Sequence, residues 1–408
     1  MLAPILVIGL TTAPVAGWCW FSDPRAITMP DGSLVIGALS TEGHPTANGS
    51  RLYPAAVFEQ DDHDNPAFLR LSDGRLLAAF TTHVGHPYLN ISTNPDDASV
   101  WDGPRNLLTA FGGTPRYTYA QLAQVGGIIH CFTRWHDAQD VAWTMMSASS
   151  DGGLTWTLAQ RIVPITYAKV AVSGGRIHLA LSGHPRYETT VLRHVYLEAG
   201  AWHRSDGSLI ASLPFAATDA TPVHAGGQPW VWDTTGDAIA FQTFGAFPAD
   251  HRIRVARWDG SAWSSSEIAA TGNGISAAAP EYAGGVAIDR ADPAVVYVSR
   301  KVGARHEMWR YWPGGSEPIT SGSTVDNIRP FSLNGGGVLW LRGTYTDYFG
   351  HYWLGVSGYG TPAAAVTPDP SPCVCGAPDL LIADTHATPL TFADILVTEA
   401  EDALLYSD

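Results

Sequence analysis

One pattern recurs along this chain and limits what it can fold into. Two short apolar runs flank a Gly-Gly or Asp-Gly turn, again and again. "DPRAITMPDGSLVIGALS" begins at Asp23 and "DDHDNPAFLRLSDGRLLAAFTTH" at Asp61. "YAQLAQVGGIIHCFTRW" begins at Tyr119 and "YAKVAVSGGRIHLALSGH" at Tyr167. "TPVHAGGQPWVWDTTG" begins at Thr221, "PEYAGGVAIDRADPAVVYVSRK" at Pro280 and "NIRPFSLNGGGVLWLRGTY" at Asn327. Each reads as a β-hairpin. Hairpins repeated every ~40 to 60 residues are the mark of propeller blades. The expectation is all-β: a seven-bladed β-propeller over residues 1–357, closed by the N-terminal strand pairing into the last blade.

A second repeat agrees. "SSDGGLTWT" (Ser149 to Thr157) is a full Asp-box, S-x-D-x-G-x-x-W. The texts ending at Trp101, around Trp202 and from Trp258 to Trp263 look like degenerate copies. The box is a turn between outer strands, its Asp binding backbone N–H groups; it carries no activity of its own.

The apolar start, "MLAPILVIGLTTAPVAG", lacks basic residues and is read as a strand in preference to a signal peptide. Past residue 357 a Pro/Gly-rich linker (358–376) leads to a short acidic C-terminal tail (377–408), read as β-like or as an attachment segment. Cys19 and Cys131 read as buried thiols; Cys373 and Cys375 form a C-x-C, a weak metal signal. The formal net charge of −15 disfavours nucleic acid and anionic membrane as partners. No stretch is apolar enough to span a membrane. The expected location is extracellular or virion-associated.

Candidate site residues follow from counting along the hairpins. Positions equidistant from a turn face each other across an antiparallel pair. His63 and His83 are symmetric about Asp73, Tyr119 and Arg134 about Gly126-Gly127, and Arg329 and Arg342 about Gly335-Gly336. Blades share one orientation, so these open ends converge on one mouth. A lone histidine or tyrosine at a strand end is ordinarily a packing residue; the coincidence of symmetric pairs favours a site. Asp61, Asp62 and Asp64 read first as turn-forming, with calcium or catalysis as the alternative. His184 and His251 read as loop packers or ligands.

Such residue types suit β-elimination next to a uronate. A cation neutralises the sugar carboxylate, a tyrosine or histidine removes the neighbouring proton, and a partner protonates the leaving oxygen. Arg134 is expected to make the Tyr119 phenolate more accessible.

The chain also resembles a known family, the BNR-4 repeat proteins, which include propeller-fold ulvan lyases. The matching text includes "GWCWFSDPRAI", "DDHDNPAFLRLSDGRLL", "TYAQL…FTRW", "GRIHLALSGHP", "WVWD", "RVARWDGSAW", "YAGGVAIDRADPAVVYVSR" and "NIRPF", from about Gly17 to Trp353. The resemblance implies a seven-bladed propeller and a lyase site of two histidines, a tyrosine and an arginine, here His63, His83, Tyr119 and Arg134. Arg329, Arg342 and His184 are candidates for binding substrate. No cofactor is required; a structural metal ion stays open. The partner is an anionic polysaccharide or cell-surface glycan. The alternative is a non-catalytic glycan- or receptor-binding module of a larger assembly such as a phage tail, joined through the C-terminal tail. A hydrolase comes third and would need two carboxylates across the mouth, with Asp23 or Asp62 serving.

Overall fold

The computed structural model describes residues 7–54, 58–277, 279–346 and 354–359. The chain divides into Met1–Val366 and Thr367–Asp408, and every described residue lies in the first unit. The expected linker begins within the strand Leu354–Tyr359; the rest of it, the C-x-C and the acidic tail lie outside the described residues.

The described chain is a β-propeller. The Asp61 hairpin shows why these sequences turn where they do. Asp73-Gly74 closes it: the Leu71 N–H donates to Arg75 O at 2.8 Å and Gly74 sits at φ 87°. A Cβ at Gly74 would meet Pro95 Cβ at 2.9 Å, so a side chain is excluded twice over. The strands Ala67–Arg70 and Leu76–Thr81 then pair Ala67 with Ala79 and Arg70 with Leu76. The Asp-box behaves as its sequence dictates. Asp151 Oδ1 accepts from the backbone N–H groups of Leu154 and Thr155, and Trp156 folds back to donate to Gly153 O.

The blade number is a correction: six, not seven. The strands form six hydrogen-bonded sheets among the described residues. The first and last hairpins, counted separately in the sequence, share one eight-stranded sheet. The strand Val7–Gly17 joins them, pairing antiparallel with Leu354–Tyr359 on one side and with Leu34–Ser40 on the other. An edge strand that finds a partner on each side satisfies both ladders, and hairpin spacing cannot register that merger. The hairpin read at Thr221 is also different. Thr221–Ala225 pairs with Val191–Glu198, in the sheet headed by Tyr167–Ser173; the next sheet begins at Trp230–Thr234.

The axis of the ring is filled by residues 18–25, Trp-Cys-Trp-Phe-Ser-Asp-Pro-Arg. Their backbone is gripped by the innermost strands of successive sheets. Phe68 N–H donates to Pro24 O and Leu122 N–H to Asp23 O, each at 2.9 Å. Lys169 Nζ donates to Trp20 O, and Arg329 to Trp18 O. The Phe21 ring lies 5.2 Å from Tyr119, 4.5 Å from Tyr167 and 6.1 Å from Trp232. A segment that touches so many inner strands can only run along the axis. Buried Trp18, Trp20 and Phe21 make it a plug, and the aromatic surface they remove from water contributes several kcal/mol.

Candidate functional site

At the open ends of the inner hairpins, the upper face, His63 and His83 meet. Their rings stack at 3.8 Å with an interplanar angle of 8°. Counting about Asp73 succeeds because no bulge interrupts that ladder. The residue that organises the pair is Asp61. It caps the short 3-10 turn Asp62–Asp64, accepting from His63 N–H at 2.9 Å. Its Oδ1 also meets His63 Nδ1, and its Oδ2 meets His83 Nδ1 at 2.8 Å. Burial resists ionisation of Asp61, but the two imidazoles outweigh it and hold the carboxyl far below the usual range. An ionised carboxylate only accepts. Both Nδ1 atoms therefore donate, which makes Nε2 the basic nitrogen of each neutral ring.

The two rings differ in charge. Burial pulls His63 below its ordinary value despite Asp61. For His83 burial acts the same way, but the charge and hydrogen bond of Asp61 outweigh it and the net shift is upward. His83 is the more exposed ring, 19% against 9%, and Glu59 accepts from its backbone N–H at 2.9 Å. One anion thus serves a neutral His63 and a His83 inclined to carry a proton.

Tyr119 stands 5.0 Å from the His63 ring, and the Arg134 guanidinium lies 4.5 Å from the Tyr119 ring centre. Their cross-strand pairing is not as counted. Arg134 pairs with Thr118, because the register slips between Thr118 and Gln121. Tyr119 occupies this bulge at φ 61°, a strained setting for a tyrosine. The bulge directs the ring to the axis, where it packs against Phe21 and Tyr167. The accessible phenolate is also corrected. Burial, then Tyr167, raises Tyr119 well above its ordinary value, and Arg134 offsets this only in part. Tyr119 is a neutral phenol, a proton donor.

The late arginine pair is not a pair. A second bulge, between Ile328 and Phe331, sets Arg342 opposite Asn327 and leaves Arg342 exposed. Arg329 sits in the bulge at φ 56°, fully buried. It donates to Asp62 Oδ2 at 2.6 Å and stacks 3.5 Å from the Trp20 ring centre. It pins the plug. His184 does reach the cluster's margin. Its ring is 5.7 Å from Tyr167 and 4.6 Å from the exposed Tyr187, and it accepts from Arg186 N–H through Nδ1. Burial, then Arg186 and Arg134, pushes His184 down to about 3. His251 is buried away from the cluster against Phe244, with Nε2 on Pro248 O.

Two functional neighbours escaped the counting: Asp61 as the bridge, and Tyr167, which lies 6.0 Å from the Arg134 guanidinium. The first-residue tyrosine shared by "YAQL" and "YAKV" was the available signal. The hydrolase reading loses its carboxylates. Asp62 is committed to Arg329, and Asp23 is bound by Arg25 and Lys169 in the plug. Asp61, His63 and His83 bring ligand-type atoms within 4.8 Å of one another. Because both Nδ1 protons already bind Asp61, a cation there would have to displace them.

Residues 26–230 match the profile of a BNR repeat-containing family member. No curated protein matches the chain. Among solved structures, a polysaccharide lyase of family PL25, an ulvan lyase, superposes with TM-score 0.63 at 15% identity, covering 86% of this chain and 96% of that one. The PL25 ulvan lyase bound to -[GlcA(1-4)Rha3S]- gives 0.62 at 16% identity, with the same coverage. The polysaccharide lyase Uly1 gives 0.55 at 9% identity, covering 88% of this chain and all of that one. At these identities the likeness is one of fold.

Proposed function

The chain belongs to the BNR repeat-containing family, and from that premise we propose that it is a polysaccharide lyase that cleaves a uronate-containing, sulfated glycan by β-elimination. One observation carries the reading: an ionised Asp61 holds a neutral imidazole, His63, beside a neutral phenol, Tyr119, beneath Arg134. Base, acid and cation stand in one cluster. The lyase bound to -[GlcA(1-4)Rha3S]- supplies the substrate class.

Arg134, aided by protonated His83, faces the sugar carboxylate and stabilises the negative charge that builds as the C5 proton leaves. His63 Nε2 takes that proton. The C4–O bond breaks, a C4=C5 double bond forms, and Tyr119 protonates the departing oxygen. His63 then holds one extra proton and Tyr119 lacks one. Transfer of that proton from His63 back to Tyr119, whose ring centres lie 5.0 Å apart, resets the site. The plug matters here, since Phe21, with Tyr167, packs against Tyr119 and its burial helps keep the phenol protonated.

The test is to incubate the chain with a panel of uronate polymers, sulfated and not, and to record the ultraviolet absorbance of the conjugated product. Appearance of that product with a sulfated uronate polymer supports the lyase. Saturable binding with no product from any member supports instead a glycan-binding module. Nothing in the comparisons points to a phage tail or virion.

A further inference from the structure

At the turn ends of the inner hairpins, the lower face, lies a cavity of about 640 Å³. It is separate from the cluster above. None of His63, His83, Tyr119 or Arg134 lines it, and its closed end is formed by Asp23 and Pro24 of the plug. Leu122, Val170 and Phe331 form apolar walls from three inner strands. Trp258 and the exposed Asn334 also line it.

The closed end is charged but balanced. Asp23 Oδ1 accepts from Arg25 at 2.9 Å, and its Oδ2 from Lys169. Arg290 donates to both oxygens of Asp233, at 2.6 and 3.1 Å, and Asp289 lies close enough to influence it. Three cations thus answer three carboxylates. Nearer solvent, one further residue of each sign lines the cavity, Arg257, which donates to Pro293 O, and the exposed Asp237. Such a recess has no excess charge with which to hold an anion. It rejects a purely apolar guest as well, because Asp23 and Arg290, 15% and 21% exposed, would lose their water without replacement.

A neutral polyhydroxylated molecule meets both demands. Hydroxyls exchange hydrogen bonds with Asp23, Arg290 and Asn334, while the C–H faces of the rings pack on Val170, Phe331 and Trp258. The volume falls in the range of small-ligand sites. The geometry points to a second glycan site, at the lower mouth, that binds a short neutral oligosaccharide without cutting it. This inference does not depend on the lyase reading.

The test uses the full chain with maltose, cellobiose and lactose, and with glucuronate as the charged control, by calorimetry and saturation-transfer NMR. Val172 lines the cavity and is 47% exposed, so Val172→Trp should fill the recess without disturbing the core. At least one neutral disaccharide should bind, and Val172→Trp should weaken it by about tenfold or more. Tyr119→Phe should leave that binding unchanged. Gln124→Ala, a truncation at the same cavity, should weaken binding if Val172→Trp fails to fold. The inference falls if no neutral sugar binds up to about 10 mM. It falls equally if binding survives both cavity variants, is lost in Tyr119→Phe, or is matched by glucuronate.

Discussion

The two ends of the central channel are built from the same inner strands, yet they are chemically opposite. Below, two of the ladders are regular, Leu122 opposing Cys131 and Val170 opposing Leu179 without interruption, while the strand Trp230–Thr234 slips between Val231 and Asp233. The charges at that end are matched, Arg290 to Asp233 and Lys169 to Asp23. Above, the register slips at Tyr119 and at Arg329, both with positive φ. There one carboxylate serves two imidazoles, and Asp64 lies fully buried with no hydrogen-bond partner for either oxygen among the described residues. Strain and imperfect satisfaction are concentrated at one end, as in sites where reactivity has been favoured over stability. The plug separates the two regimes.

The comparison breaks most visibly at Tyr119. Under the proposed mechanism Tyr119→Phe should lower turnover by about 10²–10⁴-fold, the usual contribution of a placed proton donor. Uronate affinity should change by less than about tenfold, since one hydrogen bond is lost. Stopped and continuous assays of the conjugated product, with calorimetry alongside, measure both. Full activity in the variant would remove the tyrosine from the mechanism.

Arg329 and Arg290 test the ends against each other through stability. Arg329→Ala would strip the buried Asp62 of its guanidinium partner, a loss of about 3–5 kcal/mol in comparable pairs. Arg290→Ala leaves Asp233 still accepting from the backbone N–H groups of Thr234 and Ile288, and about 1–3 kcal/mol is expected. Urea denaturation of both variants decides the order. Equal losses would mean that the plug is held no more tightly above than below.

How much of this could be read from the sequence depended on the bulges. The His63–His83 pair was legible because Ala67 to Ala79 is an uninterrupted ladder, so counting from Asp73 finds the partner. The same counting missed by one residue at Tyr119 and put Arg342 opposite the wrong neighbour. A bulge at a non-glycine residue leaves no mark in composition, and what stabilises it is contact with a distant plug. That plug was equally hidden. "GWCWFSDPR" has the look of a strand, and its axial course rests on Lys169 and Arg329, far along the chain. The blade count failed for a related reason, because Val7–Gly17 pairs with strands at both ends of the sequence.

Asp64 gives a pH signature that the lower end lacks. Burial, then Glu59 and Asp61, raises its carboxyl well above the ordinary range. A raised folded-state value gives stability that is present below the unfolded value and lost as pH rises toward the folded one. The loss runs at about 1.4 kcal/mol per pH unit across that interval. Asp64→Asn removes the titration. Wild type and variant should be closest in melting temperature near pH 3.5, with the variant gaining steadily toward neutrality. A difference that stays constant with pH would show that Asp64 is not held neutral.

The smallest effect expected is the one that separates the two histidines. Activity should fall on the acid side as His63 gains a proton, below the ordinary imidazole value because burial holds it down. It should fall on the alkaline side as His83 loses its proton, above that value because Asp61 holds it up. Tyr119 is raised too far to contribute to that limb. Glu59 supports His83 from outside the cluster, through its backbone N–H and through charge. Glu59→Gln removes the charge while leaving an oxygen to accept that hydrogen bond. The alkaline limb of kcat/KM should then move to lower pH by less than about one unit, with the acid limb and the plateau unchanged. A shift of the acid limb instead would exchange the roles of the two rings, making His83 the base and His63 the cation.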